Sequence, residues 1–122
     1  MLNLSPSMHI GLCAQPADLR KSFDGLAALV RDWLVGDPLS GHIFVFRNKA
    51  ADRVELLVWE EDGYAIWYKR LKAGTFRFPC SAAAGPRVEV RAADLVMLLE
   101  GIDVSTVKRS KRYHRPVPRP AV

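Results

Sequence analysis

Residues 53–70 read RVELLVWEEDGYAIWYKR. Glu61-Asp62-Gly63 interrupts two runs rich in β-branched and aromatic side chains, the arrangement of a β-hairpin in which Gly63 takes the positive φ. In both runs the apolar residues fall on both parities: Val54, Leu56 and Val58 against Leu57 and Trp59, then Ile66 and Tyr68 against Ala65 and Trp67. A strand that is apolar on both faces is central, or has its second face covered by a helix or another subunit.

Upstream, HIFVFRN (42–48) has strand composition and Asn48 to Asp52 form the turn into the hairpin. Asp37-Pro38-Leu39-Ser40-Gly41 is a further turn. Before it, QPADLRKSFDGLAALVRDWLVG (15–36) switches to helical period and predicts a helix over 17–35. Leu19, Phe23, Leu26, Val30 and Trp33 or Leu34 would form its buried stripe, with Pro16 at the first position, Asp18 at the positive end of the dipole and Gly36 as the stop. HIGLCA (9–14) reads as a short first strand. Downstream, Ala73-Gly74 turns the chain into TFRFP (75–79), and RVEVR (87–91) alternates as a half-exposed strand. ADLVMLLEGI (93–102) is a short helix with Leu95, Leu98, Leu99 and Ile102 inward and Gly101 as its stop. Strands joined by short turns pair antiparallel, so the expected fold is α+β: an antiparallel meander sheet of about five strands with two helices packed on one face. Residues 1–104 would be a single domain, and 105–122 a basic, proline-containing, flexible C-terminal tail.

The 122 residues, 49% apolar and 25% charged, suit one globular domain with one core. No apolar run approaches the roughly 18 residues of a membrane span, and no membrane partner is expected. The N-terminal MLNLSPSMHIGLCA has no positive charge ahead of its weakly apolar part, so it does not read as a secretory signal. Cys13 and Cys80 have no metal-type spacing and read as reduced thiols of a cytoplasmic protein. The net charge is +5, unevenly spread. Beyond Asp103 there is no acid, while Lys108, Arg109, Lys111, Arg112, Arg115 and Arg119 supply six of the 18 basic side chains. That leaves 12 basic against 13 acidic residues in 1–104, a near-neutral domain carrying a cationic tail suited to DNA.

The remaining candidates for chemistry are sparse. His9, His42 and His114 do not group in sequence, and none stands at metal-pair spacing. Glu60-Glu61-Asp62 invites a two-metal nuclease reading, but a hairpin tip accounts for it, and three consecutive acids diverge where a metal site needs convergence. No phosphate loop, nucleophile elbow or Cys/His nucleophile signature is present, so no catalytic residue, cofactor or metal is expected. WYKRLKAGTFRF (67–78) interleaves Lys69, Arg70, Lys72 and Arg77 with aromatics, which suits stacking plus phosphate contact. The plainer explanation is that the aromatics fill the core and the cations solvate the outer ends. Lys69, Arg70, Arg20 and Lys21 are secondary candidates for phosphate contact behind the tail.

Four strings taken together resemble a known family: DLRKSFDGLAALV (18–30), DPLSGHIFVFRNK (37–49), DRVELLVWEEDGYAIWYKRLKAGTFRFP (52–79) and ADLVMLLEGIDV (93–104). They are similar to the small accessory protein, called transposase B or Orf2-like, of bacterial insertion sequences of family sixty-six. The resemblance implies a protein without established enzymatic activity that accompanies a transposase encoded by a neighbouring reading frame. It supplies no catalytic residues. Ser22 stands where the pattern usually has glycine, Thr75 where arginine is frequent, and Phe78 and Val104 where tryptophan is usual. The loss at Thr75 weakens phosphate binding by that hairpin.

The expected function is therefore a non-catalytic accessory protein for transposition, binding nucleic acid, the transposase or both. Its competitors are a general nucleic-acid-binding or regulatory protein with no transposase partner, and a small metal-dependent nuclease built on Glu60–Asp62.

Overall fold

The computed structural model describes residues 4–5, 7–79 and 85–103. In chain order these form β1 (Ile10–Cys13), α1 (Phe23–Asp32), β2 (Ile43–Arg47), β3 (Arg53–Trp59), β4 (Tyr64–Arg70), β5 (Arg87–Val90) and α2 (Ala92–Leu99). One five-stranded sheet runs in the order β4-β3-β2-β1-β5. Among the described residues no helix is long and apolar enough to cross a membrane. The boundary between Val104 and the tail lies outside the described residues.

The α+β class stands, but the sheet is mixed rather than a pure antiparallel meander. β2, β3 and β4 do follow one another antiparallel, with Phe44 opposite Leu57 and Leu57 opposite Ile66. β1 instead lies parallel to β2, Ile10 beside Ile43, and antiparallel to β5, Ile10 beside Val90. The reason is the connection. A short turn forces antiparallel pairing, whereas the segment from β1 to β2 contains α1 and is long enough to cross over and return in the same direction. β1 thus takes an interior position, and all four of its residues are buried.

The two helices pack on opposite faces, not on one. Leu26, Ala27, Val30 and Leu34 from α1 and the residues following it lie on Cys13, Phe44, Phe46 and Leu57. Leu95, Leu98 and Leu99 of α2 lie on the other face with Ile10, Leu12, Ile43, Val45, Val54, Leu56 and Val58. Each fully buried Leu or Val contributes about 1.5–3 kcal/mol relative to exposure. Apolar residues on both parities of β3 are the sequence trace of this two-sided cover.

α1 begins later than its periodicity suggests. Arg20 N–H donates to the Asp18 carboxylate at 3.0 Å and Lys21 N–H to the Asp18 carbonyl at 3.1 Å, so Asp18 organises a turn instead of capping a helix. The helix starts after Ser22, which puts Phe23 in its first turn at 42% exposure, outside the stripe. Leu19 precedes the helix and packs on its core from the loop. Of the alternatives at the end, Leu34 is buried and Trp33 is 51% exposed.

Three smaller expectations are corrected. The positive φ at the hairpin belongs to Glu61 (58°), not Gly63. Residues 75–79 form no strand, although Phe76 is buried at 2% exposure and its N–H donates to the Ala51 carbonyl at 2.7 Å. Ile102 lies outward past the end of α2, at 39% exposure.

Candidate nucleic-acid interface

Arg20, Lys21, Lys69 and Arg70 do not form one patch. Lys69 and Arg70 are neighbours in β4, so their side chains leave opposite faces of the sheet. Lys69 Nζ donates to the Leu99 carbonyl at 3.0 Å, at the end of α2 where the helix dipole favours a cation. This lysine ties the helix to the sheet. Arg70 lies on the α1 face, directly opposite Arg53 of β3. Lys21 is exposed, its stem standing over Gly25. Arg20 grips the Asp18 carboxylate with two donors, at 3.0 and 3.1 Å. That hydrogen bonding holds the Asp18 carboxyl down at about 2. Lys108, Arg109, Lys111, Arg112, Arg115 and Arg119 lie outside the described residues.

What the fold does assemble is a recess of about 430 Å³ on the α1 face, beyond the end of the helix's cover. Asp18 and Arg20 reach it from the loop before α1, Asn48 and Arg53 from the turn into β3, and Glu55 and Tyr68 from paired positions on β3 and β4. Sheet register makes this unavoidable. Trp59 opposite Tyr64 sets the hairpin, and stepping back along both strands places Glu55 opposite Tyr68 and Arg53 opposite Arg70. All four side chains share the face that carries Leu57 and Ile66 nearer the hairpin turn.

Glu55 is the unusual member. It is 8% exposed, and its Oε2 is shut off from solvent with no hydrogen-bond donor. Burial pushes its carboxyl above the usual glutamate value. Tyr68 beside it is 48% exposed. Asn48 is already engaged, its Nδ2 donating to Asp52 Oδ1 at 2.6 Å and its Oδ1 accepting from Arg53 N–H at 3.0 Å. Arg53 and Arg70 face one another with no acidic partner among the described residues.

Of the residues lining the recess, the sequence pointed to Arg20 as a candidate but not to Arg53 or Glu55. The signal was present: Glu55 is the one charged residue inside the run VELLVW, flanked by Val54 and Leu56. Counting its parity outward from the hairpin would have set it across from Tyr68.

The other candidates resolve into structural roles. Glu60, Glu61 and Asp62 occupy the exposed hairpin turn. Among the described residues, no group of three His, Cys, Asp or Glu side chains can hold a metal ion. His9 and His42 do come together, rings 4.6 Å apart and edge-on, with His9 N–H donating to His42 Nδ1 at 3.2 Å. Cys13 is buried and free, and burial raises its thiol pKa. Trp67 packs against the α2-side core, as the plainer explanation of the aromatics requires.

The sequence profile of the IS66 Orf2 like protein family matches residues 8–109. The chain belongs to this family. The IS66 Orf2-like match spans every described strand and helix. Two relatives from Sinorhizobium fredii are similar to it. "Uncharacterized protein y4jC" is 35% identical over 120 residues, 98% of this chain and 97% of its own length. "Uncharacterized protein y4hO" is 31% identical over 103 residues, 84% of this chain and 88% of its own. No solved structure matches.

Proposed function

We propose that the protein is a non-catalytic accessory factor in the transposition of a bacterial insertion sequence, acting in the cytoplasm and contacting DNA and the transposase encoded by a neighbouring reading frame. The observation that carries the reading is the IS66 Orf2-like match over nearly the whole folded domain. The DNA contact is supported by charge. Six cations follow Asp103 with no acid among them, and Arg53 and Arg70 add two unneutralised charges on the open part of the α1 face. Phosphate contacts of this kind position a protein without specifying a base. No cofactor is part of the proposal.

Two measurements test it. Titration of labelled duplex DNA across salt concentrations should give a log–log slope approaching about −5 if all six tail cations engage, since each neutralised phosphate contributes about −0.9. A pull-down with the neighbouring transposase, with and without element-end DNA, should retain the protein. Failure of both arms overturns the reading. Cleavage of DNA in magnesium that Glu60→Gln with Asp62→Asn abolishes, without unfolding the protein, would replace it with the nuclease.

A further inference from the structure

We infer that the recess between Glu55 and Tyr68 takes a single unpaired guanine of a DNA strand, with Arg53 and Arg70 on the adjoining phosphates. The inference rests on the DNA contact proposed above and assigns that contact a base-reading site.

The starting point is Glu55. A carboxylate withdrawn from solvent costs free energy unless hydrogen-bond donors compensate it. Glu55 has none among the described residues, and its neighbours across the sheet, Phe46 and Tyr68, are aromatic. Its terminal torsion is soft, so either oxygen can turn toward the recess it lines. The ligand must therefore bring N–H or O–H donors.

The rim decides which ligand. Arg53 and Arg70 stand opposite one another on adjacent strands, a like-charge pairing that destabilises a sheet. Neither has an acidic partner among the described residues, whereas Arg20 nearby is neutralised by Asp18. An incoming lysine or arginine would reach Glu55 only past the two unneutralised arginines, Arg53 and Arg70. A small anion would suit the rim but meet a carboxylate at the floor. The chemistry that satisfies both is anionic outside and neutral, planar and donor-bearing inside, which describes a nucleotide within a strand. Tyr68, half exposed beside Glu55, supplies the ring on which a base stacks. A recess of about 430 Å³ lies in the size range of small-ligand sites.

Among the bases, guanine presents N1–H and N2–H₂ side by side on its Watson–Crick edge, two parallel donors that match the two oxygens of one carboxylate. Cytosine and adenine offer an amino group alone, and thymine one ring N–H. Duplex pairing occupies those donors, so the base must be unpaired or turned out of the helix.

The test uses the full-length protein and fluorescence anisotropy at one fixed low salt concentration. The probes are short labelled oligothymidylates carrying one central guanine, cytosine, adenine or thymine. Guanine should bind tighter than thymine by roughly 5- to 150-fold, the range of a good bidentate contact. Glu55→Gln should bring the guanine-to-thymine affinity ratio to about 1, because the amide turns a donor toward guanine's donors. Tyr68→Ala should weaken all four probes by roughly 5- to 150-fold through lost stacking. Thermal melts of both variants establish that they fold. A guanine preference that is absent, or that survives Glu55→Gln, overturns the site and leaves the accessory reading standing. If no probe binds, the site falls, and the duplex titration above decides the DNA contact separately. If Glu55→Gln instead abolishes capture of the transposase, the recess holds a protein side chain and the guanine assignment is wrong.

Discussion

The two faces of the sheet are built from the same strands yet finished differently. On the α2 face, Ile10, Leu12, Ile43, Val45, Val54, Leu56 and Val58 form one apolar surface, closed by α2 and by Phe76 from the irregular segment after β4. On the α1 face, α1 and Leu34 cover Phe44, Phe46 and Leu57, but the cover stops short of the ends of β3 and β4. Where it stops, the strands carry Arg53, Glu55, Tyr68 and Arg70. The α2 face is an apolar core with a recess of about 820 Å³ at the start of α2, while the end of the α1 face sets charged and aromatic side chains around its own recess. One sheet thereby carries an apolar core on one face and an open charged end on the other, simply by side-chain parity.

The largest expected effect tests the closed face. Phe76→Ala should cost about 3–5 kcal/mol in urea denaturation, because its ring is fully buried in the α2-side core. Phe23→Ala, the same chemical change on the exposed shoulder of α1, should cost under about 1 kcal/mol. Equal losses would erase the distinction between a sealed and an open side.

A smaller effect separates two adjacent residues. Lys69→Met removes the hydrogen bond to the Leu99 carbonyl and should cost about 0.5–1.5 kcal/mol, with DNA affinity and its salt slope unchanged. Arg70→Ala should leave stability nearly unchanged and reduce the magnitude of the salt slope by about 1. The reverse pattern would mean that the faces had been assigned the wrong roles.

The smallest effect is a gain. Glu55→Gln replaces a desolvated carboxyl by a neutral amide and should raise stability at pH 7, by under about 1 kcal/mol because the amide is also left without partners. The pH dependence fixes the sign. Burial raises the folded-state value of Glu55, so the folded protein takes the proton more readily than the unfolded chain. The stability this supplies is fully present below the unfolded value near 4.5 and is lost as pH rises through the raised value. The variant's advantage should therefore shrink on acidification and vanish below about pH 4. Asp18, Arg20 and Arg53 also face this recess, so the comparison should be made at constant ionic strength.

Much of the architecture was legible because it rests on local rules. The hairpin, the turn before it, the strand at Ile43–Arg47 and the stop of α2 at Gly101 follow from composition and parity. The start of α1 was hidden by a conflict between two roles of aspartate: Asp18 suits a helix entry, yet its carboxylate binds Arg20 and closes a turn instead. The place of β1 was hidden because its partners are fixed by a crossover and by residues near the end of the domain, not by anything in HIGLCA. The recess was hidden for a related reason. Arg20 is remote in sequence from Glu55, and Glu55 and Tyr68 meet only once the hairpin register is counted.

The interior position of β1 has a consequence for how the protein is made. Ile10–Cys13 leaves the ribosome before every other described strand, yet its second neighbour, Arg87–Val90, is translated after all the others. The β2–β4 meander can close early through short loops, while β1 must wait with one edge unpaired and its apolar side chains uncovered by α2. Interrupted synthesis or a frameshift after Pro79 would leave that edge permanently open, a template for joining other chains. Such a fragment is expected to go into aggregates rather than persist as a smaller working protein.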